Sequence, residues 1–105
     1  MLMAKTNFNY NVGDVVDFKL TSGEELIARI SEDRESEFIL IKPMALINTP
    51  NGGLGMMPVP IASNHVDPVV LNKHAVAFHA KCDKDMASQY MEKTTGLTLS
   101  TSGLV

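Results

Sequence analysis

The sequence predicts a small, mostly β domain: a strongly bent, five-stranded antiparallel barrel with a short helix near the C-terminus. Three observations carry this prediction. Several stretches alternate apolar and polar residues with the period of two that is typical of half-buried strands. Glycine and polar residues mark turns between these stretches. Proline interrupts the longest apolar run, where a small barrel needs a bend.

The length of 105 residues predicts one domain. In this interpretation the barrel covers about residues 13–82, the helix about 84–94, and a flexible tail 97–105. No internal repeat or linker indicates a second domain.

A predicted hairpin covers residues 15–30. In its first strand Val16, Phe18 and Leu20 share one face, as expected for a strand with one buried side. Gly23 lies in a tight turn, where it can adopt a positive φ. The second strand continues the inward face with Leu26, Ala28 and Ile30.

The next predicted strand is the long apolar run from Phe38 to Ile47. It follows a charged loop at residues 31–37 and is broken by Pro43, which cannot donate to a ladder and therefore predicts a bend or bulge. A glycine-rich loop at 49–55 then lacks the Gly-Lys-Ser/Thr ending of a phosphate-binding loop.

Two further strands complete the predicted five, at residues 56–61 and 73–82. In the first, Pro58 and Pro60 alternate, so their missing donors lie on one side and predict a strand with one unpaired edge.

A helix is predicted to follow at once. Asp83 is a suitable N-cap and Gly96 a suitable terminator. Met86, Tyr90 and Lys93 fall along one side of that helix and form a short amphipathic stripe.

The composition narrows the functional classes. The formal net charge of −3 shows no general basic excess, so binding of nucleic acid would need a local basic patch. The single cysteine, Cys82, cannot form an internal disulfide, which fits a reducing compartment. No stretch approaches about 18 apolar residues, and the N-terminus lacks the pattern of a signal peptide. These features predict a cytoplasmic protein that does not enter a membrane.

Two segments resemble the motifs of the Sm-like family in the right order. Residues 16–30 resemble the first Sm motif, with Ala28 where the family usually has glycine, and residues 39–46 resemble the bent third strand. Residues 72–76, Asn-Lys-His-Ala-Val, are similar to the Lys-His-Ala-aliphatic core of the second motif in the bacterial Hfq branch. The resemblance covers about residues 13–82.

This resemblance implies a homo-oligomeric ring of five to seven subunits, joined through the fourth and fifth strands, that binds U-rich single-stranded RNA at its pore. Carried over to this sequence, Lys73 and His74 are the predicted RNA-binding residues, because a lysine attracts phosphate and an imidazole can stack or hydrogen-bond. Asn72 beside them and Arg34 in the charged loop complete the predicted set. Two alternatives remain open: an Sm-like ring that serves protein interactions and does not bind RNA, and a monomeric barrel of another lineage.

The chain departs from the Sm-like pattern in three respects. Its helix follows the barrel, whereas in this family the helix precedes it. The family's Asp-x-x-Met-Asn element is absent, and residues 33–38 occupy its place. The long Gly/Pro loop from Thr49 to Pro60 is also atypical of the family. In addition, residues 14–37 hold eight acidic and three basic side chains, a net charge of −5 that repels phosphate and favours the RNA-free alternative. The departures suggest a divergent member, of phage or environmental origin.

No pattern in the chain predicts catalysis, a metal or a cofactor. His65, His74, His79 and Cys82 are the candidate metal ligands, but His79 and Cys82 are an odd number of residues apart in a predicted strand and should point to opposite faces. Catalytic motifs such as Gly-x-Ser-x-Gly and His-Glu-x-x-His are absent. We therefore expect a binding or assembly protein and not an enzyme.

Overall fold

A computed structural model describes residues 9–95 of the chain. These residues form six β-strands, one 3₁₀ helix and one α-helix. In chain order the elements are β1 (Val15–Leu20), β2 (Glu25–Asp33), β3 (Glu37–Asn48), β4 (Leu54–Pro58), β5 (Val69–Asn72), the 3₁₀ helix (Lys73–Ala75), β6 (Val76–Lys81) and α1 (Lys84–Thr95). The mostly β class with a C-terminal helix is confirmed, while the tail predicted at 97–105 lies outside the described residues.

The long strand β3 organises the sheet. One of its edges pairs with β2, whereas the other pairs with β5 along Glu37–Leu40 and with β4 along Met44–Asn48. Lys42 and Pro43 lie between these two ladders, and Lys42 has a φ of 49°. The bend predicted at Pro43 is therefore confirmed, and it lets one strand serve two partners on the same edge.

The sheet is antiparallel, with the order β4-β3-β2-β1-β6 and β5 beside the first half of β3. The 3₁₀ helix leads directly from β5 to β6, which pairs with β1 at the other side of the sheet. Since a three-residue 3₁₀ turn advances only about 6 Å, the sheet must curl to bring its two sides together. Lys73 N donates to Ser36 O at 3.0 Å and Thr21 N donates to Ala75 O at 2.8 Å, so the helix contacts both sides.

Six strands replace the predicted five, and within residues 9–95 no ladder closes the curled sheet. The predicted fourth strand begins earlier, at Leu54, and ends at Pro58. The strand Val69–Asn72 was not predicted, because four residues are too few for alternation to distinguish a strand from a loop. The predicted strand at 73–82 begins with the 3₁₀ helix, and only its remainder pairs with β1.

The core lies on the inner face of the curled sheet. Five of the six predicted inward residues of the first hairpin are buried there, Leu20 is partly buried, and Gly23 turns between the strands with a φ of 107°. Phe18 packs against Phe38 with ring centroids 5.1 Å apart. This inner cluster comprises Tyr10, Val16, Phe18, Leu26, Ala28, Ile30, Phe38, Leu40 and Ala45.

Helix α1 covers part of the outer face. Asp83 caps it as predicted, because its Oδ1 accepts a hydrogen bond from Met86 N at 2.8 Å. Tyr90 is fully buried against Ile27 and Met44, and Thr94, not the predicted Lys93, is the buried residue one turn later. Within residues 9–95 no helix combines the length and apolar character that crossing a membrane requires.

The Tyr90 hydroxyl fixes the helix to the bend of β3. It donates to the carbonyl oxygens of Ile41 and Lys42, both at 2.8 Å, and accepts a hydrogen bond from Arg29 N at 3.2 Å. The peptide groups freed by the bend thereby obtain a partner. Burial raises the pKa of Tyr90 above its ordinary value.

Candidate functional site

The predicted RNA-binding pair lies on the 3₁₀ helix. Lys73 and His74 are its first two residues. Asn72 precedes them in extended conformation, and its side-chain oxygen accepts a hydrogen bond from His74 N at 2.9 Å. An asparagine favours this position because its short side chain can bond the backbone two residues on. The side-chain oxygen of Asn72 thus caps the turn that presents the pair.

Lys73 is held by an internal ion pair. Its Nζ lies 2.7 Å from Asp33 Oδ1, and the Asp33 side chain is only 4% exposed. The same ammonium lies 4.5 Å from the centroid of the Phe38 ring, and Asp33 Oδ2 accepts a hydrogen bond from Tyr10 N at 2.9 Å. A buried carboxylate needs such compensation. A phosphate at Lys73 would therefore have to compete with Asp33 for this charge.

His74 presents the most accessible group of the predicted set. The residue is exposed, and within residues 9–95 its imidazole has no hydrogen-bond or ion-pair partner. Its backbone is fixed by Asn72, so the ring projects from a defined turn. The imidazole can thus meet a ligand without breaking an internal contact.

Arg34 lies at the turn between β2 and β3, where it forms ion pairs with two carboxylates. Its Nε lies 2.7 Å from Glu32 Oε1 and its Nη1 lies 3.0 Å from Glu37 Oε2. The hydrogen bonds that Arg34 donates to these carboxylates raise the pKa of Arg34, and its bond to Glu32 lowers the pKa of that carboxyl. An anion approaching Arg34 would meet both acidic side chains as well.

The four predicted residues lie at one end of the sheet, because the 3₁₀ helix contacts the β2–β3 turn. Lys73 N bonds to Ser36 O in that turn, and Glu37 is paired with Asn72. Their separation of about forty positions in sequence is bridged by the β3–β5 ladder. The local charge is nevertheless not strongly positive, since Lys73 and Arg34 both face acids.

His79 and Cys82 lie on opposite sides of the sheet, as the odd spacing predicts. His79 Nδ1 lies 2.6 Å from the Tyr10 hydroxyl, and its ring packs edge-on against Phe38 on the inner side. Cys82 packs with the outer cluster beside α1. Burial, aided by the charge of Asp17, raises the pKa of the Cys82 thiol to about 11, so it is protonated at neutral pH. Residues 9–95 contain no group of three or more side chains arranged to hold a metal ion.

An acidic pair, Asp17 and Glu25, lies on neighbouring strands β1 and β2. Burial, the hydrogen bond with Glu25 and then the Glu25 charge raise the pKa of Asp17 to about 7. Sequence reasoning did not identify the pair, although both residues were assigned to strand or turn positions. This part of the surface disfavours a polyanion.

β6 forms one end of the sheet, and within residues 9–95 no strand pairs with its outer edge. Cys82 N donates to Val15 O at 3.0 Å. Antiparallel alternation therefore turns the peptide groups of Phe78 and Ala80 toward β1 and those of His79 and Lys81 outward, whereas the register shifts at Ala77. The Phe78 side chain lies on this strand and is 65% exposed. β6 thus offers hydrogen-bond donors and an aromatic side chain together.

β4 forms the opposite end. Thr49 N donates to Gly53 O and Val59 N donates to Pro43 O, so residues 53 and 59 turn toward β3. By alternation the backbone groups of Leu54, Met56 and Pro58 point outward. The N–H group that proline lacks would therefore point away from β3 at Pro58, as predicted. The ladder between β3 and β4 loses no hydrogen bond.

Apolar side chains accompany the β4 edge. Leu54 is 54% exposed and Met57 is 37% exposed. A groove of about 850 Å³ lies beside them, and its apolar lining includes Leu46, Ile47 and Met86. Sequence reasoning located this edge through its prolines but did not find the groove, which depends on the docking of α1.

In comparisons with known proteins, no family model and no curated protein matches this chain.

Proposed function

We propose that the chain is an Sm-like subunit that assembles with copies of itself, β4 of one copy against β6 of the next, into a ring that serves as a protein-interaction scaffold. The observation that carries the proposal is the pair of unpaired edges at opposite ends of one sheet, each with exposed apolar side chains. Unpaired, apolar edges are unstable as free surfaces and are commonly covered by another strand.

The two edges are chemically complementary. β6 offers outward N–H groups at His79 and Lys81, and β4 offers outward carbonyl oxygens, including that of Pro58. The groove beside β4 can receive the Phe78 side chain of a neighbour. Such an interface joins two different edges, so it is heterologous, and it forms a closed ring when the rotation between copies closes.

The Sm-like assignment is supported by connectivity as well as by motifs. The Lys-His-Ala segment forms the 3₁₀ turn that joins the two sides of the curled sheet, where the second Sm motif is expected. A bent β3 carries strands on both halves of one edge. The five-stranded barrel of the family would correspond here to a curled sheet in which the fourth strand is divided into β4 and β5.

The scaffold function is favoured over RNA binding by the charges around the predicted site. Lys73 is paired with buried Asp33, Arg34 is paired with Glu32 and Glu37, and Asn72 caps the turn. Three of the four predicted RNA contacts are thus occupied within the subunit. A scaffold does not need these groups to be free.

RNA binding is the second candidate, favoured by one observation. His74 is exposed on a turn whose backbone is fixed, next to Lys73, and a ring would place several such pairs around one axis. Repetition can convert weak single contacts into measurable affinity.

Edge blocking tests the assembly. In Lys81→Pro, the proline removes an outward donor of β6 and leaves the β1 ladder intact, and the preceding Ala80 lies in a strand, whose extended backbone a following proline accepts. Light scattering after size-exclusion chromatography should show the wild-type chain as an oligomer and Lys81→Pro as smaller species, with Lys81→Ala as the matched control. A wild-type monomer of 11.4 kDa at high concentration would refute the ring.

Fluorescence anisotropy with a short oligo-U at two salt concentrations separates the two candidates. The scaffold proposal predicts no binding at low salt. Salt-sensitive binding that is lost in His74→Ala, but kept in Gln89→Ala, an exposed polar residue of α1, would establish the RNA function instead.

A further inference from the structure

A cavity of about 180 Å³ lies away from the predicted RNA-binding residues. It is enclosed by the bend of β3, the end of β4, the β4–β5 loop and the C-terminal end of α1. Its apolar wall includes Met44, Val59 and Val69. An apolar wall with a few polar groups on one side is the usual form of a small-molecule site.

Two lysines border this cavity. Lys42 Nζ donates to Thr94 O at 2.9 Å, which fixes the ammonium at the rim and leaves two of its three N–H donors. Lys93 is exposed at the same rim and has no ion-pair partner within residues 9–95. Two ammonium groups that share one cavity repel each other, so an anion between them is favoured.

Further polar groups complete the lining. Ser63 can donate a hydroxyl, and His65 Nε2 lies 3.0 Å from Pro60 O. Because a carbonyl only accepts, that nitrogen carries the proton, and in the neutral ring the other nitrogen is an acceptor that offers no donor to an anion. Asp67 is the acidic residue of the lining, and its Oδ2 accepts a hydrogen bond from Asn64 Nδ2 at 2.9 Å. The two lysines outnumber this one carboxylate.

Backbone strain coincides with the cavity. Among the described residues, the two non-glycine residues with positive φ are Lys42, at 49°, and His65, at 62°. Both border this cavity. The left-handed region is disfavoured for residues with a Cβ, and such conformations persist where the surroundings hold them, often at ligand sites.

We infer that this cavity binds a small organic anion, with its phosphate or carboxylate between Lys42 and Lys93 and a short apolar group against Met44, Val59 and Val69. A cavity of about 150 Å³ holds a benzene molecule, so this one, at about 180 Å³, accepts an apolar group of benzene size with the anionic group at the lysine-bearing rim. The inference does not rest on the proposed assembly, although Pro58 at the end of β4 borders both the cavity and the proposed assembly edge.

Titration with benzoate, phenyl phosphate and neutral benzamide, at constant ionic strength, tests the inference. The ¹³C methyl resonances of Met44, Val59 and Val69 report binding, and methyl signals remain observable in a large assembly. We expect saturable shifts with dissociation constants in the millimolar range for the two anions, as ligands of about ten atoms allow. Stronger binding of phenyl phosphate would assign a phosphate ester, and stronger binding of benzoate a carboxylate.

Two lysine variants on α1 provide the matched comparison. Lys93→Gln should weaken anion binding roughly three- to fivefold, as for one partly solvated ion pair. Lys84→Gln, an equally exposed lysine of the same helix that does not border the cavity, should leave binding unchanged. The inference is overturned if neither anion gives saturable methyl shifts, if benzamide binds as tightly as the anions, or if the two variants weaken binding equally.

Discussion

Phe78 is the side chain on which edge-to-edge assembly should depend most. It lies on the unpaired strand β6 and is 65% exposed. The perturbation is Phe78→Ser, which removes the aromatic ring and leaves the backbone donors of β6 in place. Because the ring contributes little to the core of a single subunit, the variant should fold normally.

The expected magnitude follows from the exposed fraction. Fully burying a phenylalanine side chain is worth about 1.5–3 kcal/mol. If assembly covers the 65% that is exposed in the subunit, the loss is about 1–2 kcal/mol per interface. This corresponds to a weakening of roughly 5- to 30-fold for each contact between copies.

Sedimentation velocity over a dilution series measures this effect. Phe78→Ser should dissociate at concentrations where the wild-type chain remains assembled. Val66→Ser is the control, because Val66 is 79% exposed in the β4–β5 loop and belongs to neither edge strand. Assembly of Phe78→Ser at wild-type concentrations, or equal loss in both variants, would refute this role of the β6 edge.

Three further predictions concern stability, each measured by urea unfolding. Tyr90→Phe removes a hydroxyl that donates to two carbonyl groups of the β3 bend, and should lower the free energy of unfolding by about 1–2 kcal/mol; a change close to zero would contradict the anchoring role of that hydroxyl. Lys73→Ala leaves the buried carboxylate of Asp33 without its cation and should cost about 2–3 kcal/mol, whereas Lys73→Ala combined with Asp33→Asn should recover part of this loss; no recovery would argue against the ion pair. The pKa of Asp17 is raised from 3.8 to about 7, so the folded chain keeps a proton that the unfolded chain releases, and stability should fall as pH rises through this window. Asp17→Asn should reduce the total loss of unfolding free energy over this pH window by about 1–2 kcal/mol, after allowance for solvent screening of a partly exposed group. An unchanged pH dependence would show that Asp17 titrates normally.

The parts of the fold that could be predicted depend on local signals. The β1–β2 hairpin follows from strict alternation around Gly23, and α1 follows from a cap at Asp83 and an apolar stripe through Tyr90. Pro43 marks the bend because proline cannot donate to a ladder. Each of these features is encoded within a few neighbouring residues.

The parts that could not be predicted depend on distant contacts. β5 has only four residues, and it is a strand because β3 supplies its partner. The curl of the sheet is imposed by the 3₁₀ helix, whose hydrogen bonds reach residues far away in sequence. A closed barrel was expected from the number of strands. Closure requires the two edge strands of the sheet to pair with each other, which the sequence of one segment does not indicate.

The candidate site shows the same limit. The sequence brings Lys73 and His74 together, but the carboxylate that holds Lys73 belongs to Asp33, 40 positions earlier. Likewise, alternation divides β6 into two faces without indicating which one is covered. The exposure of Phe78 follows only from the packing of His79 against the inner aromatic rings.

Native mass spectrometry of the wild-type chain tests edge-to-edge assembly most directly. A closed ring of five to seven copies of the 11.4 kDa chain predicts one dominant species with a mass of about 57–80 kDa. A monomer at all concentrations would contradict the assembly, and an open-ended series of masses would contradict ring closure.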